Sequence, residues 1–211
     1  MKIEKYNYQQ SLLPSQGKHI IAQSDDETIT VYQAYNNAIA NFAVANQKFG
    51  GNNYSFNRMT WIKPNFMWMM YRSGWATKEN QERILAIKIK HAGFNKILRG
   101  AVHSSFQGDV YKSREEWKSR LGDSKVRLQW DPDHNPRGEK LERKAIQLGI
   151  RGETLHQLNK EWITEISDVT DFVKEQHVFV KGDFEQLEVP YERVQVYKDP
   201  AIINNLGLTI G

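Results

Sequence analysis

The chain has 211 residues, carries no cysteine and has a formal net charge of +4. That length fits one domain whose core is large enough to fold without a metal or disulfide staple. The missing cysteine excludes disulfides, thiolate zinc sites, iron–sulfur clusters and a cysteine nucleophile together.

The opening MKIEKYNYQQ lacks the apolar run of a secretory signal. No apolar stretch approaches the about 20 residues that cross a bilayer. A cytoplasmic protein with no membrane partner is expected. Basic residues between Lys112 and Arg120 and between Arg137 and Lys144 are interleaved with carboxylates, as on solvated helix faces. A charge of this size permits a nucleotide or nucleic-acid partner without demanding one.

Residues 1–22 are polar and irregular and read as a flexible or edge-pairing N-terminal arm, ahead of a single globular domain over residues 23–211. The alternating run Thr28 to Tyr35 predicts a strand, and Ala38, Ile39, Phe42 and Ala43 predict a helix that stops at Gly50-Gly51. Arg58 to Pro64 predicts a short strand. A helix follows over Asn65 to Tyr71 with Pro64 in its first turn, then a loop at Ser73-Gly74. Arg83 to Lys90 places Leu85, Ile87 and Ile89 on one face of a strand. Ala92 to Val102 reads as a helix, and Ser113-Arg114-Glu115-Glu116 as a capped helix start. Lys125 to Trp130 predicts a strand closed by an Asp131-Pro132 turn, and Lys144 to Ile150 another. A short helix over Glu153 to Lys160, a strand over Trp162 to Val169 and a helical turn over Asp171 to Gln176 follow. Short strands mixed with short helices predict an α+β fold rather than a doubly wound parallel sheet.

The chain has no phosphate-loop GxxxxGK[ST], no glycine-rich dinucleotide turn, no HExxH and no GxSxG. Its six histidines, at 19, 91, 103, 134, 156 and 177, stand outside ligand spacing, so no metal site is expected. What remains is a constellation at element ends. Tyr32, Gln33 and Tyr35 close one strand, Arg58, Trp61 and Lys63 close the next, and Arg72, Ser73 and Trp75 follow the helix between. Aromatic faces stack bases, and arginine and lysine hold phosphates by charge-assisted hydrogen bonds. Against this stands the core reading, since Trp61, Trp68 and Tyr71 at helical spacing usually pack inward. His103 titrates near neutral pH and is a candidate acid or base. Gln147, between Ile146 and Leu148, faces away from them, toward solvent or a polar cleft.

The Tyr-Gln-Ala-Tyr motif at Tyr32 to Tyr35 resembles the marker of domain-of-unknown-function family 4291. So do TWIKPNFMWMMYRSGW from Thr60, SREEWK from Ser113, VRLQWDP from Val126 and IQLGIRGE from Ile146. The order strand–helix, aromatic-flanked serine, late strand is also similar to ADP-ribosyltransferase-like domains, which hold NAD in a cleft between two small sheets. That resemblance implies a split sheet, NAD as the small molecule, and a late-strand glutamate on the ribose. Here the late strand carries Gln147, with Glu153 beyond it. The branch that removes an RNA 2′-phosphate uses arginine and histidine, which matches Arg58, Arg72 and His103 better.

The resulting expectation is a transferase acting with NAD, or an NAD-derived intermediate, on nucleic acid. Its catalytic set is Gln147, Arg72, His103 and Tyr35; its NAD-binding set is Tyr32, Gln33, Arg58, Trp61, Lys63 and Ser73. Two alternatives stand beside it: a non-catalytic RNA- or nucleotide-binding module, and an unrelated nucleotide-processing enzyme.

Overall fold

The computed structural model describes residues 1–209. In chain order the elements are β1 (Ile3–Lys5), α1 (Tyr6–Leu12), β2 (Ile21–Ala22), β3 (Thr28–Tyr35), α2 (Asn37–Asn46), β4 (Thr60–Ile62), α3 (Phe66–Ser73) and β5 (Arg83–Lys90). Then come α4 (His91–Arg99), β6 (Ala101–His103), α5 (Arg114–Asp123), β7 (Val126–His134), β8 (Lys140–Ile150) and α6 (Gly152–Gln157). A π-helical turn at Leu158–Trp162 leads to β9 (Ile163–Asp168), α7 (Thr170–His177), β10 (Glu188–Pro190), β11 (Arg193–Val194) and α8 (Pro200–Leu206). The fold is α+β, as the mixture of short elements predicts.

Two sheets position everything else: a three-stranded one in the order β3-β5-β9 and a four-stranded one in the order β4-β8-β7-β6. Strand period two decides which residues meet. Ile29 and Val31 of β3 and Leu85, Ile87 and Ile89 of β5 pack into the main core with Ile62, Leu128, Ile146, Leu148 and Ile150 of the four-stranded sheet. The opposite face of β3 and β5 packs Tyr32, Ile84 and Ala86 into a second core with Phe66, Met67, Met69 and Met70 of α3. Each fully buried side chain of this size contributes about 1.5–3 kcal/mol, so the three-stranded sheet is held from both sides.

Backbone pairing joins the two sheets at one bridge, where Tyr32 N–H donates to the Lys63 carbonyl at 2.7 Å and Lys63 N–H returns the bond at 3.1 Å. Past it, β3 and β4 pair no further, and a cleft opens between them.

Four local expectations are corrected. The helix read through Val102 ends at Arg99; after Gly100 the chain extends as β6, which pairs in parallel with β7. Asp131-Pro132 is not a turn but lies inside β7, where a register shift between Pro132 and His134 absorbs the missing proline N–H. Pro64 precedes α3 rather than starting its first turn: Asn65 is the N-cap, its side chain accepting from Trp68 N–H at 2.7 Å. The helix read to Lys160 stops at Gln157 and passes into the π-helical turn. The N-terminal segment pairs through β1 with β10 and through β2 with β11, both antiparallel.

Candidate functional site

The cleft where β3 and β4 separate encloses about 740 Å³. Gln33 and Tyr35 continue the face of Ile29 and Val31, but at the end of β3 the core has given out and they face the cleft instead. Gln33 Nε2 donates to Thr60 Oγ1 at 2.5 Å and to the Trp61 carbonyl at 3.2 Å, while the Tyr35 hydroxyl bonds Thr60 Oγ1 at 2.9 Å. These side chains replace the backbone pairing lost beyond the bridge. Gln33 is 3% exposed, yet its Oε1 has no partner among the described residues. Burial pushes the Tyr35 phenol up, so it stays protonated and able to donate. Tyr54 adds an aromatic wall, stacked on Phe49 at 5.0 Å. Arg58, on the segment before β4, and Arg72, on the last turn of α3, bring guanidinium groups to the rim.

A second compartment of about 330 Å³ adjoins the first, and Trp61, Lys63 and Arg72 line both. Its floor is the outer face of the four-stranded sheet, where the period that sends Leu128, Ile146 and Leu148 inward sends Gln129, Asp131 and Gln147 outward. Gln129 and Gln147 are register partners, and each donates its Nε2 to a different oxygen of Asp131 at 2.8 Å. Gly149 lets the Trp61 ring lie on the sheet. A Cβ there would stand 2.9 Å from Trp61 Cε2 and 2.6 Å from Met59 Sδ, closer than real carbons come. Trp68 of α3 closes the side, stacked against Tyr71 at 5.4 Å and against His134 at the same distance.

Lys63 is the electrostatic centre. It is 7% exposed, and the side-chain contact that it makes is a 3.4 Å bond to the Trp61 carbonyl. Burial, and then the Arg72 guanidinium, push its ammonium down to about 8, with Asp131 pulling the other way. Neither Lys63, Arg58 nor Arg72 forms an ion pair among the described residues. Three cations outside ion pairs, set against the single carboxylate of Asp131 that two glutamines already hold, leave the site net positive and prepared for an anion.

Of the residues in the catalytic and NAD-binding sets, Gln33, Tyr35, Arg58, Trp61, Lys63, Arg72 and Gln147 line the two compartments. Three do not. Tyr32 is fully buried in the second core, edge-on to Phe66 at 5.4 Å, because it faces opposite to Gln33 on β3. Ser73 is buried inside α3 and donates to the Met69 carbonyl at 2.9 Å, the back-bond common for helical serine. His103 sits on the core-facing side of β6, at the edge of the four-stranded sheet opposite β4. There its Nδ1 bonds the Tyr111 hydroxyl at 3.0 Å, and burial pushes the ring down to about 4, so it is neutral and remote. The sequence reading left Asp131 and Tyr54 out of the candidate site. Asp131 carried a strand-alternation signal, two residues from Gln129, that its neighbour Pro132 masked as a turn.

A protein class follows from the family match: residues 19–196 match a domain of unknown function, DUF4291, and the chain belongs to that family. No curated protein matches the chain. Among the described residues no helix is long and apolar enough to cross a membrane, and no group of three or more histidine, aspartate and glutamate side chains is placed to hold a metal ion.

Proposed function

We propose that the chain is an ADP-ribosyltransferase-like enzyme that cleaves NAD in the larger compartment and transfers ADP-ribose to nucleic acid. One observation carries this reading: Arg58, Arg72 and Lys63, none of them ion-paired among the described residues, surround an aromatic-walled cleft between two small sheets. Arg58 and Arg72 take the pyrophosphate, and the unpartnered Gln33 Oε1 accepts from the carboxamide of nicotinamide beside Tyr35 and Tyr54. In the transfer the bond from ribose C1′ to nicotinamide breaks, with its electron pair leaving on nicotinamide. An acceptor nucleophile then bonds C1′ and gives up its proton to water. Placed charge and positioning supply most of the rate. Gln147 donates to Asp131, so its role is to orient that carboxylate on the acceptor side rather than to hold the donor ribose.

The test is calorimetric titration of NAD and ADP-ribose, with transfer to labelled RNA and DNA measured in parallel. Arg72→Ala is expected to weaken NAD binding by about 1.5–3 kcal/mol, the worth of a charge-assisted contact. Absence of NAD and ADP-ribose binding would overturn the reading. Binding without transfer would favour the second one, a non-catalytic nucleotide- or RNA-binding module, which the engagement of both Asp131 oxygens by glutamines also suits.

A further inference from the structure

The larger compartment employs Gln33, Tyr35 and Arg58 and leaves the smaller one without an assigned occupant. On the floor of the smaller one, Asp131 receives one N–H from Gln129 and one from Gln147, each at 2.8 Å. A carboxylate fixed from both sides keeps a free lone pair on each oxygen. Neither glutamine carbonyl accepts a bond from the described residues, so this floor is rich in acceptors. Beside it stand donors. Lys63 is buried with one weak bond to a carbonyl, and the indole N–H of Trp68, a side chain 4% exposed, has no partner among the described residues. Unpartnered buried donors are rare in native proteins, because each one forfeits its bond to water.

Acceptors adjoining donors between two indole walls call for a flat ligand whose edge carries neighbouring donors next to an acceptor. Among the nucleobases guanine has that edge: N1–H and the 2-amino group side by side, then O6, with N7 beyond as a second acceptor. Adenine sets its bare N1 where the carboxylate needs a donor. The volume of about 330 Å³ accommodates a base with little more than its sugar.

We propose that the smaller compartment recognises a guanine base, Asp131 accepting from N1–H and the 2-amino group while Lys63 and Trp68 donate to O6 and N7. The inference rests on reading the larger compartment as the donor site and adds the identity of the acceptor. A free guanine nucleotide and a guanine in a single strand share this chemistry.

Tryptophan fluorescence of the full chain is titrated with guanosine, inosine, adenosine, GMP and single-stranded RNA hexamers holding one guanine or none. Guanosine is expected to bind about 10-fold or more tightly than adenosine, with inosine, which lacks the 2-amino group, between them. Asp131→Asn keeps the shape of the side chain and is expected to bring guanosine and adenosine within about 2-fold of each other. Trp68→Phe, which removes the N–H and keeps an aromatic wall, is expected to weaken guanosine without altering the order of preference. Hexamers that bind only when they hold guanine identify a nucleic-acid source; GMP binding alone identifies a free nucleotide. Equal affinity for guanosine and adenosine, a preference that survives Asp131→Asn, or no binding of any guanine ligand overturns the proposal. NAD is titrated into the same proteins: guanosine failure with NAD still bound through Arg58 removes this proposal alone, and the reverse removes the transferase reading alone.

Discussion

Arg143 and Lys63 are both buried cations, and the molecule surrounds them in opposite ways. Arg143 on β8 pairs with Asp133 at 2.7 Å, with side-chain exposures of 5% and 1%, and it also donates to Gln10 Oε1 at 2.5 Å and to the Pro14 carbonyl at 3.4 Å. Nearby, Glu192 accepts from Phe66 N–H at 2.8 Å, and its own N–H is taken by Gln9 Oε1 at 2.6 Å. That region knits the N-terminal segment, β8 and the start of α3 into one hydrogen-bonded unit. Lys63, by contrast, has one weak bond to a carbonyl; the like-charged Arg72 stands beside it, and Asp131 attracts it without pairing with it. Buried polar groups with partners specify structure, whereas buried polar groups left short of partners store a demand that a ligand can meet. Between these two cations the contrast distinguishes scaffold from site where polarity does not, since both regions are polar.

The largest effect is expected where that contrast can be broken from the scaffold side. Arg143→Met leaves Asp133 buried without its counter-charge, and breaking such a pair costs about 3–5 kcal/mol. Denaturant melts should show that loss, and nucleoside and NAD affinities measured on the protein that remains folded should stay at the wild-type value. A loss below about 1 kcal/mol would mean that the Arg143 network is no more structural than Lys63.

Lys63→Met should act in the opposite direction. The folded ammonium, at about 8, lies below its ordinary 10.5, so the folded state holds fewer protons than the unfolded one between those values. Stability of the wild type therefore rises with pH across that window, and below it the buried charge carries its full penalty. Removing the charge is expected to raise stability at neutral pH by about 3 kcal/mol, a gain that shrinks from pH 8 upward. An anion bound beside Lys63 pulls the ammonium back up, so wild-type NAD affinity should fall as pH rises above 8, with proton uptake on binding from about pH 8 upward and little at pH 7. Melts of both proteins at pH 7 and 9.5 check the first claim; titrations in buffers of different ionisation enthalpy check the second. A variant less stable than the wild type at pH 7 would place Lys63 with the scaffold.

These residues also explain what sequence reading can and cannot see. β3 and β5 are legible end to end because β-branched and apolar residues run through both, with Ile29 and Val31 on one face of β3 and Leu85, Ile87 and Ile89 on one face of β5. Alternation should equally have parted Tyr32 from Gln33, since adjacent strand residues face opposite sides; grouping them as one motif put a core tyrosine in the site. Arg58, Lys63 and Arg72 were legible as polar residues at the ends of apolar elements, and Gln147 as a polar residue between Ile146 and Leu148 on a strand. Asp131 was not, because a proline after an aspartate has the signature of a turn, and only pairing with β8 carries the strand through it. His103 looked functional for its chemistry alone. Its burial depends on Tyr111 and on parallel pairing with β7, neither of which is local. Non-local contacts decide whether a polar residue finds a partner, and that is the property on which the site depends.

The smallest effect is expected at the junction between scaffold and site, the first turn of α3. Asn65 accepts from Trp68 N–H at 2.7 Å, and Glu192 accepts from Phe66 N–H two residues earlier in the same turn, so two side chains share the capping of one helix end. Asn65→Ala removes one of them and should cost about 1 kcal/mol of stability, the usual worth of an N-cap. The helix itself should stay in place, because Phe66, Met67, Met69 and Met70 anchor it in the second core and Gly74, at φ 58°, closes its other end. Arg72 and Trp68 would then keep their positions, and NAD and guanosine affinities should change by less than about 2-fold. A melt shifted by that amount with binding intact would show that the scaffold holds the site with capacity to spare. A larger loss of affinity than of stability would instead mean that the cap sets the aim of Trp68 and Arg72, and that the boundary between the two regions runs through α3 rather than beside it.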